Sequence, residues 1–155
     1  MSNTSLPQGC TNFKLRQLMR WVARHYDAAM AEQGLKTTQY SLLSHVLKLG
    51  PLRPVDLARA MGLTPSTLTR NLQPLIAAGW LQLGEGPDAR SRLIHITDAG
   101  RDKRQDAQRS WKAAQLGLND ILGLERVAAL HVLVDDCTEL LREHQDEASE
   151  EAWHD

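Results

Sequence analysis

Apolar side chains recur at intervals of three and four residues along most of the chain, which predicts a mainly helical protein. The four longest stretches with this pattern are residues 11–32, 40–49, 101–122 and 124–147. Gly34 and Gly50 follow the first two stretches and predict where those helices end. The last stretch contains a seam with the 3, 4, 3, 4 spacing of a coiled coil, formed by Val127, Leu130, Val134, Cys137 and Leu141. This stretch has more apolar side chains than one stripe packed within the protomer would use, and the surplus suggests a protein partner.

Residues 54–79 predict two short helices joined by a tight turn. Gly62 can take the left-handed conformation that ends the first helix. Thr64 can cap the second helix, and Pro65 suits its first helical position. Leucines form one face of this second helix. The other face carries Ser66, Thr67, Thr69, Arg70, Asn71 and Gln73. Such side chains reach base edges and phosphates in a major groove, so the pattern favours a DNA-binding helix-turn-helix over a merely solvated helix pair.

Two short runs of alternating residues, 80–83 and 92–97, predict a β-hairpin directly after this helix pair. The turn-forming stretch 84–91 separates them. A hairpin in this position is a wing, and its tip carries Arg90 and Arg92 with Asp88 as a candidate brace. The negative potential of a narrow minor groove attracts arginine, so the wing predicts a second DNA contact. The alternative is a surface hairpin whose arginines are only solvated.

The net charge of −1 hides an uneven distribution. Residues 1–52 carry six Lys/Arg against two Asp/Glu, residues 53–104 carry eight against five, and residues 105–155 carry four against twelve. The first two thirds are therefore basic, as a nucleic-acid partner requires. No apolar run is long enough to span a membrane, and the N-terminus lacks the pattern of a signal peptide, so we expect a cytoplasmic protein.

The sequence predicts no enzymatic chemistry. HExxH, GxSxG, P-loop and GxGxxG motifs are absent, and the six histidines are scattered without pairing. Cys10 and Cys137 have no metal-ligand spacing, so we expect neither a metal site nor a cofactor. A winged helical module that binds proteins instead of DNA is the remaining alternative, and its binding would not fall steeply with salt.

The chain resembles the MarR-type winged helix-turn-helix regulators over most of its length. The matching residues are Leu35, Gln39, Tyr40, Leu42 and Leu43, then Leu57-Ala58, Thr69-Arg70-Asn71-Leu72 and Leu75, and finally Gly79-Trp80-Leu81, Asp88, Arg90-Ser91-Arg92, Leu93, Thr97 and Gly100. The resemblance implies a roughly triangular homodimer whose N- and C-terminal helices intertwine. It also implies binding to a pseudo-palindromic operator, usually as a repressor, and release by a small molecule or an oxidant.

The predicted architecture is therefore mainly α with a small β-hairpin wing, flanked by N- and C-terminal dimerisation helices. We expect a single domain over residues 1–155. Within it, residues 36–98 would form the DNA-binding lobe, and residues 11–34 and 99–147 the helical dimerisation lobe. The acidic residues 148–155 are expected to be a disordered tail.

Two kinds of switch follow from the resemblance. One is a small-molecule pocket between the lobes, with candidate liners Arg16, Arg20, Trp21, His45 and Trp111. Basic and aromatic side chains would suit a carboxylate or a phenolate, although each of these residues could instead serve packing. The other is thiol sensing through Cys10, which lies near a helix start and near Lys14. Against it, Cys137 occupies an apolar seam position, where cysteine behaves as a small hydrophobe.

Overall fold

The structure, a computed structural model, describes residues 7–88 and 90–151, with side chains described up to residue 147. The helices are α1 (Thr11–Met30), α2 (Thr37–Leu49), α3 (Pro54–Met61), α4 (Pro65–Ala77), α5 (Asp98–Leu122) and α6 (Leu124–Glu151), and the strands are β1 (Leu81–Glu85) and β2 (Arg92–Ile96). A short 3-10 turn, Ala31–Gln33, follows α1. The predicted fold class, mainly α with a small β-hairpin, is confirmed.

The chain divides into two compact units, one up to Ala114 and one from Gln115 onwards. Helix α5 contributes its first part to the first unit and its last turns to the second. The core of the first unit is built from α2, α3, α4 and the hairpin, and its fully buried side chains include Leu43, Leu57, Leu75 and Ile94. These leucines and isoleucines come from the apolar stripes that the sequence displays.

The hairpin is a two-stranded antiparallel sheet with Leu81 opposite Ile96 and Glu85 opposite Arg92. Leu52, in the connection before α3, adds an isolated antiparallel bridge to Ile94. At the base of the hairpin, the Thr97 hydroxyl lies 2.6 Å from the Gly79 carbonyl oxygen and accepts a hydrogen bond from the Gly100 N–H. The hairpin is therefore attached to the α2–α3 connection through Ile94 in the middle of β2, and to the start of α5 at its base.

Helix α2 begins three residues before the predicted start. Its first backbone N–H, at Thr37, donates to Asp27 Oδ1 at 2.8 Å, and the Thr37 hydroxyl donates to the same oxygen at 2.8 Å. The side chain of Gln39 accepts from the N–H of Lys36. These partners satisfy the first N–H groups of the helix, which otherwise lack acceptors, and allow it to start earlier.

Helix α6 runs past Glu147, where the sequence predicts its end, to Glu151. Residues 144–151 contain no glycine or proline that would end a helix. Residues 152–155, the rest of the predicted tail, lie outside the described residues. In the second unit, Val127 is buried, whereas Val134, Cys137 and Leu141 of the predicted seam are exposed. Among the described residues, no helix has the length and apolar character needed to cross a membrane.

Candidate nucleic-acid interface

The two helices of the helix-turn-helix are joined by a turn that the sequence specifies closely. Gly62 has φ 64°, a left-handed conformation that glycine adopts without a steric penalty. The next N–H, at Leu63, returns to the Ala58 carbonyl at 2.8 Å and closes the end of α3. Thr64 then caps α4 by accepting from the Thr67 N–H at 3.3 Å, and Pro65 occupies the first helical position.

Helix α4 has one buried and one exposed face. Leu68, Leu72 and Leu75 are buried, which fixes the rotation of the helix about its axis. Of the six predicted DNA-reading side chains, Ser66, Thr69, Arg70 and Gln73 are exposed, and Thr67 and Asn71 are half-buried. The four exposed side chains therefore lie away from the leucine face, whereas Thr67 and Asn71 are partly covered.

Three of these six side chains already have partners at the start of the helix, and the first is Ser66, whose Oγ lies 3.2 Å from the Thr64 hydroxyl oxygen. The Thr67 hydroxyl accepts from the Thr64 hydroxyl at 2.9 Å, and the Thr69 hydroxyl donates to the Pro65 carbonyl at 2.9 Å. Their role is therefore partly to organise the first turn of α4. Ser66, Arg70 and Gln73 are the outward-pointing polar groups, and Arg70 is the only cation among the six.

The wing loop is organised by the carboxylate of Asp88. Its Oδ1 accepts hydrogen bonds from the Arg90 N–H at 3.0 Å, the Ser91 N–H at 2.7 Å and the Ser91 hydroxyl. The Ser91 hydroxyl, followed by these two backbone N–H groups, holds the pKa of Asp88 below its usual range. Arg90 and Arg92 are both exposed. Asp88 thus fixes the backbone that carries Arg90, whereas Ala89 lies outside the described residues.

A charged cluster on α3 was not predicted. Arg53 donates from Nε to Asp56 Oδ2 at 2.8 Å and from Nη2 to Oδ1 at 3.2 Å, and Arg59 Nη1 lies 3.8 Å from Oδ1. The hydrogen bond from Arg53 is the main cause of a lowered pKa at Asp56. The spacing of three residues between each arginine and the aspartate is the signal that could have indicated this cluster.

A cavity of about 520 Å³ lies between α1, α2 and α5 in the first unit. Its lining combines apolar and polar side chains, namely Met19, Val22, Ala23, Tyr26, Asp27, Thr37, Thr38, Tyr40, Ser41, Ser44, His45, Arg104 and Trp111. His45 and Trp111, predicted as liners, are both present. Arg16, Arg20 and Trp21, also predicted as liners, are not, because α1 faces the cavity with the stripe at positions 19, 22, 23 and 26. Trp21 is exposed, with the guanidinium of Arg24 5.0 Å from its ring centroid.

Arg104 is the cation among the residues that line this cavity, and no local sequence pattern indicates it. Its Nε donates to Ser44 Oγ at 3.2 Å, Nη1 donates to Gln108 Oε1 at 3.3 Å, and the guanidinium lies 5.5 Å from the centroid of the Tyr40 ring. Tyr40 in turn stacks on Trp111 at 5.8 Å between centroids. His45 Nδ1 lies 2.8 Å from the Ser41 carbonyl oxygen, which can only accept, so Nδ1 carries the hydrogen. With the hydrogen on Nδ1, Nε2 is the acceptor of the ring whenever the ring carries a single hydrogen.

The cysteines lie in different units. Cys10 is exposed at the N-cap position of α1, and its carbonyl accepts from the Lys14 N–H at 3.1 Å. Cys137 is exposed on α6. Among residues 7–88 and 90–151, no group of three or more His, Cys, Asp or Glu is placed to hold a metal ion.

Comparison with known proteins agrees with this geometry. The sequence model of the MarR family matches residues 33–91, which include the helix-turn-helix and most of the wing. The HTH-type transcriptional regulator YwoH of Bacillus subtilis is 25% identical over 93 residues, covering 60% of this chain and 68% of that protein.

Solved structures match over a longer part of the chain. The transcriptional regulator MosR of M. tuberculosis, in complex with DNA, is 30% identical, with a TM-score of 0.68 over 83% of this chain and 98% of that one. A mutant of MarR from E. coli, complexed with operator DNA, has a TM-score of 0.75 at 20% identity over 81% of this chain and 91% of that one, and shows the fold alone. The chain belongs to the MarR family of DNA-binding transcriptional regulators.

Proposed function

We propose that the protein is a homodimeric repressor that binds a pseudo-palindromic operator with α4 in the major groove and the wing at the minor groove. The observation that carries the proposal is the pairing of a recognition helix, fixed by its buried leucines, with a wing whose loop is held by Asp88. Two-fold symmetry would place the half-sites about one helical turn, ~34–36 Å, apart.

On this proposal the exposed face of α4 reads bases. Arg70 can donate two hydrogen bonds to a guanine edge, and Gln73 can pair with an adenine edge. Ser66, Thr67, Thr69 and Asn71 supply shorter polar contacts near the start of the helix. Arg90 and Arg92 approach the minor groove from the wing, where the negative potential attracts guanidinium groups.

The dimerisation lobe would be formed by residues 11–34 and 99–147, and the DNA-binding lobe by residues 36–98. In the first unit, α1 exposes Phe13, Leu15, Met19 and Trp21. In the second unit, α6 exposes Leu133, Val134, Leu140 and Leu141. Large apolar side chains exposed on two helices favour an interface, and a second copy of the chain is the proposed occupant. Sedimentation equilibrium should give twice the chain mass.

The proposed effector is a small aromatic carboxylate or phenolate bound in the cavity beside Arg104. The cavity volume of about 520 Å³ is within the range of small-molecule sites. Arg104 offers a positive charge, Tyr40 and Trp111 offer ring faces, and His45 Nε2 offers an acceptor for a hydroxyl group. Titration of a panel of aromatic acids, followed by tryptophan fluorescence, should identify binders, and Arg104→Gln should weaken acids more than the matching neutral amides.

Thiol sensing remains the alternative switch, because Cys10 is exposed at the start of α1. Replacement of Cys10 by Ser should abolish any release of DNA by peroxide. An unchanged response to peroxide in that variant would remove Cys10 as the sensor, whereas release by aromatic acids alone would favour the cavity.

The central experiment is binding of the purified protein to DNA from its own upstream intergenic region over a range of salt concentrations. Selective binding that weakens steeply with salt would support the repressor. Binding that neither distinguishes this DNA from a mixed sequence nor responds to salt would contradict the proposal and favour a protein-binding winged module.

A further inference from the structure

The cluster of Arg53, Asp56 and Arg59 on α3 has no part in the roles proposed above. Both arginines belong to the exposed surface, with side chains 59% and 79% accessible, against 35% for Asp56. Since two cations share one carboxylate, the cluster keeps a net positive charge. It lies at the first helix of the helix-turn-helix, with Arg53 at the N-cap position of α3 and the other two residues within the helix.

The charge distribution around the cluster is one-sided. Residues 33–84 contain five Lys/Arg and a single acidic residue, Asp56. That one carboxylate is engaged by Arg53 in a two-bond fork and lies beside Arg59. The segment that includes α2, α3 and α4 therefore presents no free carboxylate that would repel an anion.

Stabilisation of α3 is a weak explanation for the two arginines. Ion pairs between exposed side chains add little to stability, because water screens them and two long side chains must be ordered. The Arg59–Asp56 separation of 3.8 Å is also too long for a hydrogen bond. Only the Arg53 fork has the geometry of a strong pair.

Both guanidinium groups keep donors for a ligand. Of the five N–H donors of Arg53, two are directed at Asp56, so three remain available. The first helix of a helix-turn-helix crosses the DNA backbone while the second enters the major groove. With α4 in a major groove, the exposed side of α3 would therefore be the side that meets phosphates.

We propose that Arg53 and Arg59 bind phosphates of the DNA backbone beside each half-site, while Asp56 holds the Arg53 fork. The inference rests on the proposed function, because it requires α4 to occupy a major groove. Contacts to phosphates position a protein without reading sequence. The two arginines would thus set affinity and register, and the face of α4 would set specificity.

The test compares Arg53→Gln, Arg59→Gln and the double variant with wild-type protein on a mixed-sequence DNA duplex, because the operator is unidentified. Each phosphate contact contributes about 0.9 to the slope of log K against log salt, so each substitution should lower the slope by about that amount per protomer. At 0.1 M salt this corresponds to about an eightfold loss of affinity per contact. Arg53→Lys, which keeps the charge, should retain most of the slope.

Arg109→Gln is the matched control, since Arg109 is an exposed arginine of the same unit on α5, outside the helix-turn-helix. Circular dichroism should show that all variants remain folded. A slope that stays at the wild-type value in the double variant, or falls equally in Arg109→Gln, would overturn the phosphate contacts while leaving the repressor in place. Wild-type binding without any salt dependence would instead refute the proposed function, and the phosphate contacts with it.

Discussion

Gly100→Ala should destabilise the protein, although the same exchange within an ordinary helix is stabilising. Gly100 is buried in the first turn of α5, against the backbone at the base of the wing. A Cβ at this position would lie 2.1 Å from the Trp80 carbonyl oxygen and 2.9 Å from its carbonyl carbon. Backbone atoms cannot rotate away as a flexible side chain can. The start of α5 and the base of the wing must therefore separate.

The size of the effect follows from the bonds at this junction. The Trp80 carbonyl accepts from the Thr97 N–H at 3.1 Å, and the Thr97 hydroxyl lies 3.1 Å from the same oxygen. Loss of these two contacts costs about 1 kcal/mol each. Crowding adds about 1–3 kcal/mol, and the better helix propensity of alanine returns about 1 kcal/mol. The net loss is about 2–4 kcal/mol, which lowers Tm by roughly 4–16 °C in a chain of this size.

Thermal unfolding followed by circular dichroism provides the measurement. Ala99→Gly is the control, because Ala99 is exposed one position earlier and should report helix propensity alone, about 1 kcal/mol. Gly100→Ala should unfold at a lower temperature than both Ala99→Gly and the wild type. A Tm equal to or above the wild-type value would refute the close approach of α5 to the wing.

Three further predictions concern the DNA-binding part of the chain. If Arg70 reads a base, Arg70→Ala should reduce the difference in binding free energy between the upstream DNA and its single-base variants by about 1–3 kcal/mol. An equal loss of affinity for all sequences would make Arg70 a phosphate contact. Asp88→Ala should weaken DNA binding in anisotropy titrations without a change in base preference, and unchanged binding would exclude the brace. Because the pKa of Asp88 is lowered in the folded protein, the contribution of its carboxylate is complete at neutral pH and is lost as the pH falls below the ordinary pKa and through the folded one. Thr64→Ala should lower the free energy of unfolding in urea by about 1 kcal/mol through loss of the α4 cap, whereas Thr64→Ser should keep it.

The helix-turn-helix and the wing were predictable because their signals are local. Gly62, Thr64 and Pro65 specify the turn and the start of α4 through their own backbone preferences. The alternation of residues around the predicted turn specifies the hairpin, although β1 continues through Glu85, two residues into that stretch. The absence of enzyme motifs was also informative, since members of the MarR family are transcriptional regulators and not enzymes.

The cavity was only partly predictable because it depends on contacts between distant residues. Arg104 and Ser44 are 60 positions apart, and nothing near either residue indicates their hydrogen bond. Residue type pointed to Arg16, Arg20 and Trp21 as basic and aromatic liners, but residue type does not reveal which face of α1 lines the cavity. The early start of α2 has the same cause, because its cap, Asp27, comes from α1.

Helix α5 connects the proposed effector site with the wing. Gly100 contacts the base of the wing, Lys103 lies 5.2 Å from the centroid of the Trp80 ring, and Arg104 faces the cavity one turn after Gly100. One helical turn rises by about 5.4 Å, and we therefore propose that an anion that displaces Arg104 also acts on the segment that holds the wing. Binding coupled in this way is reciprocal. An aromatic acid that weakens DNA binding should therefore itself bind more weakly, by the same factor, when DNA is present. Equal affinities of the acid with and without DNA would show that the cavity is not coupled to the DNA-binding surface.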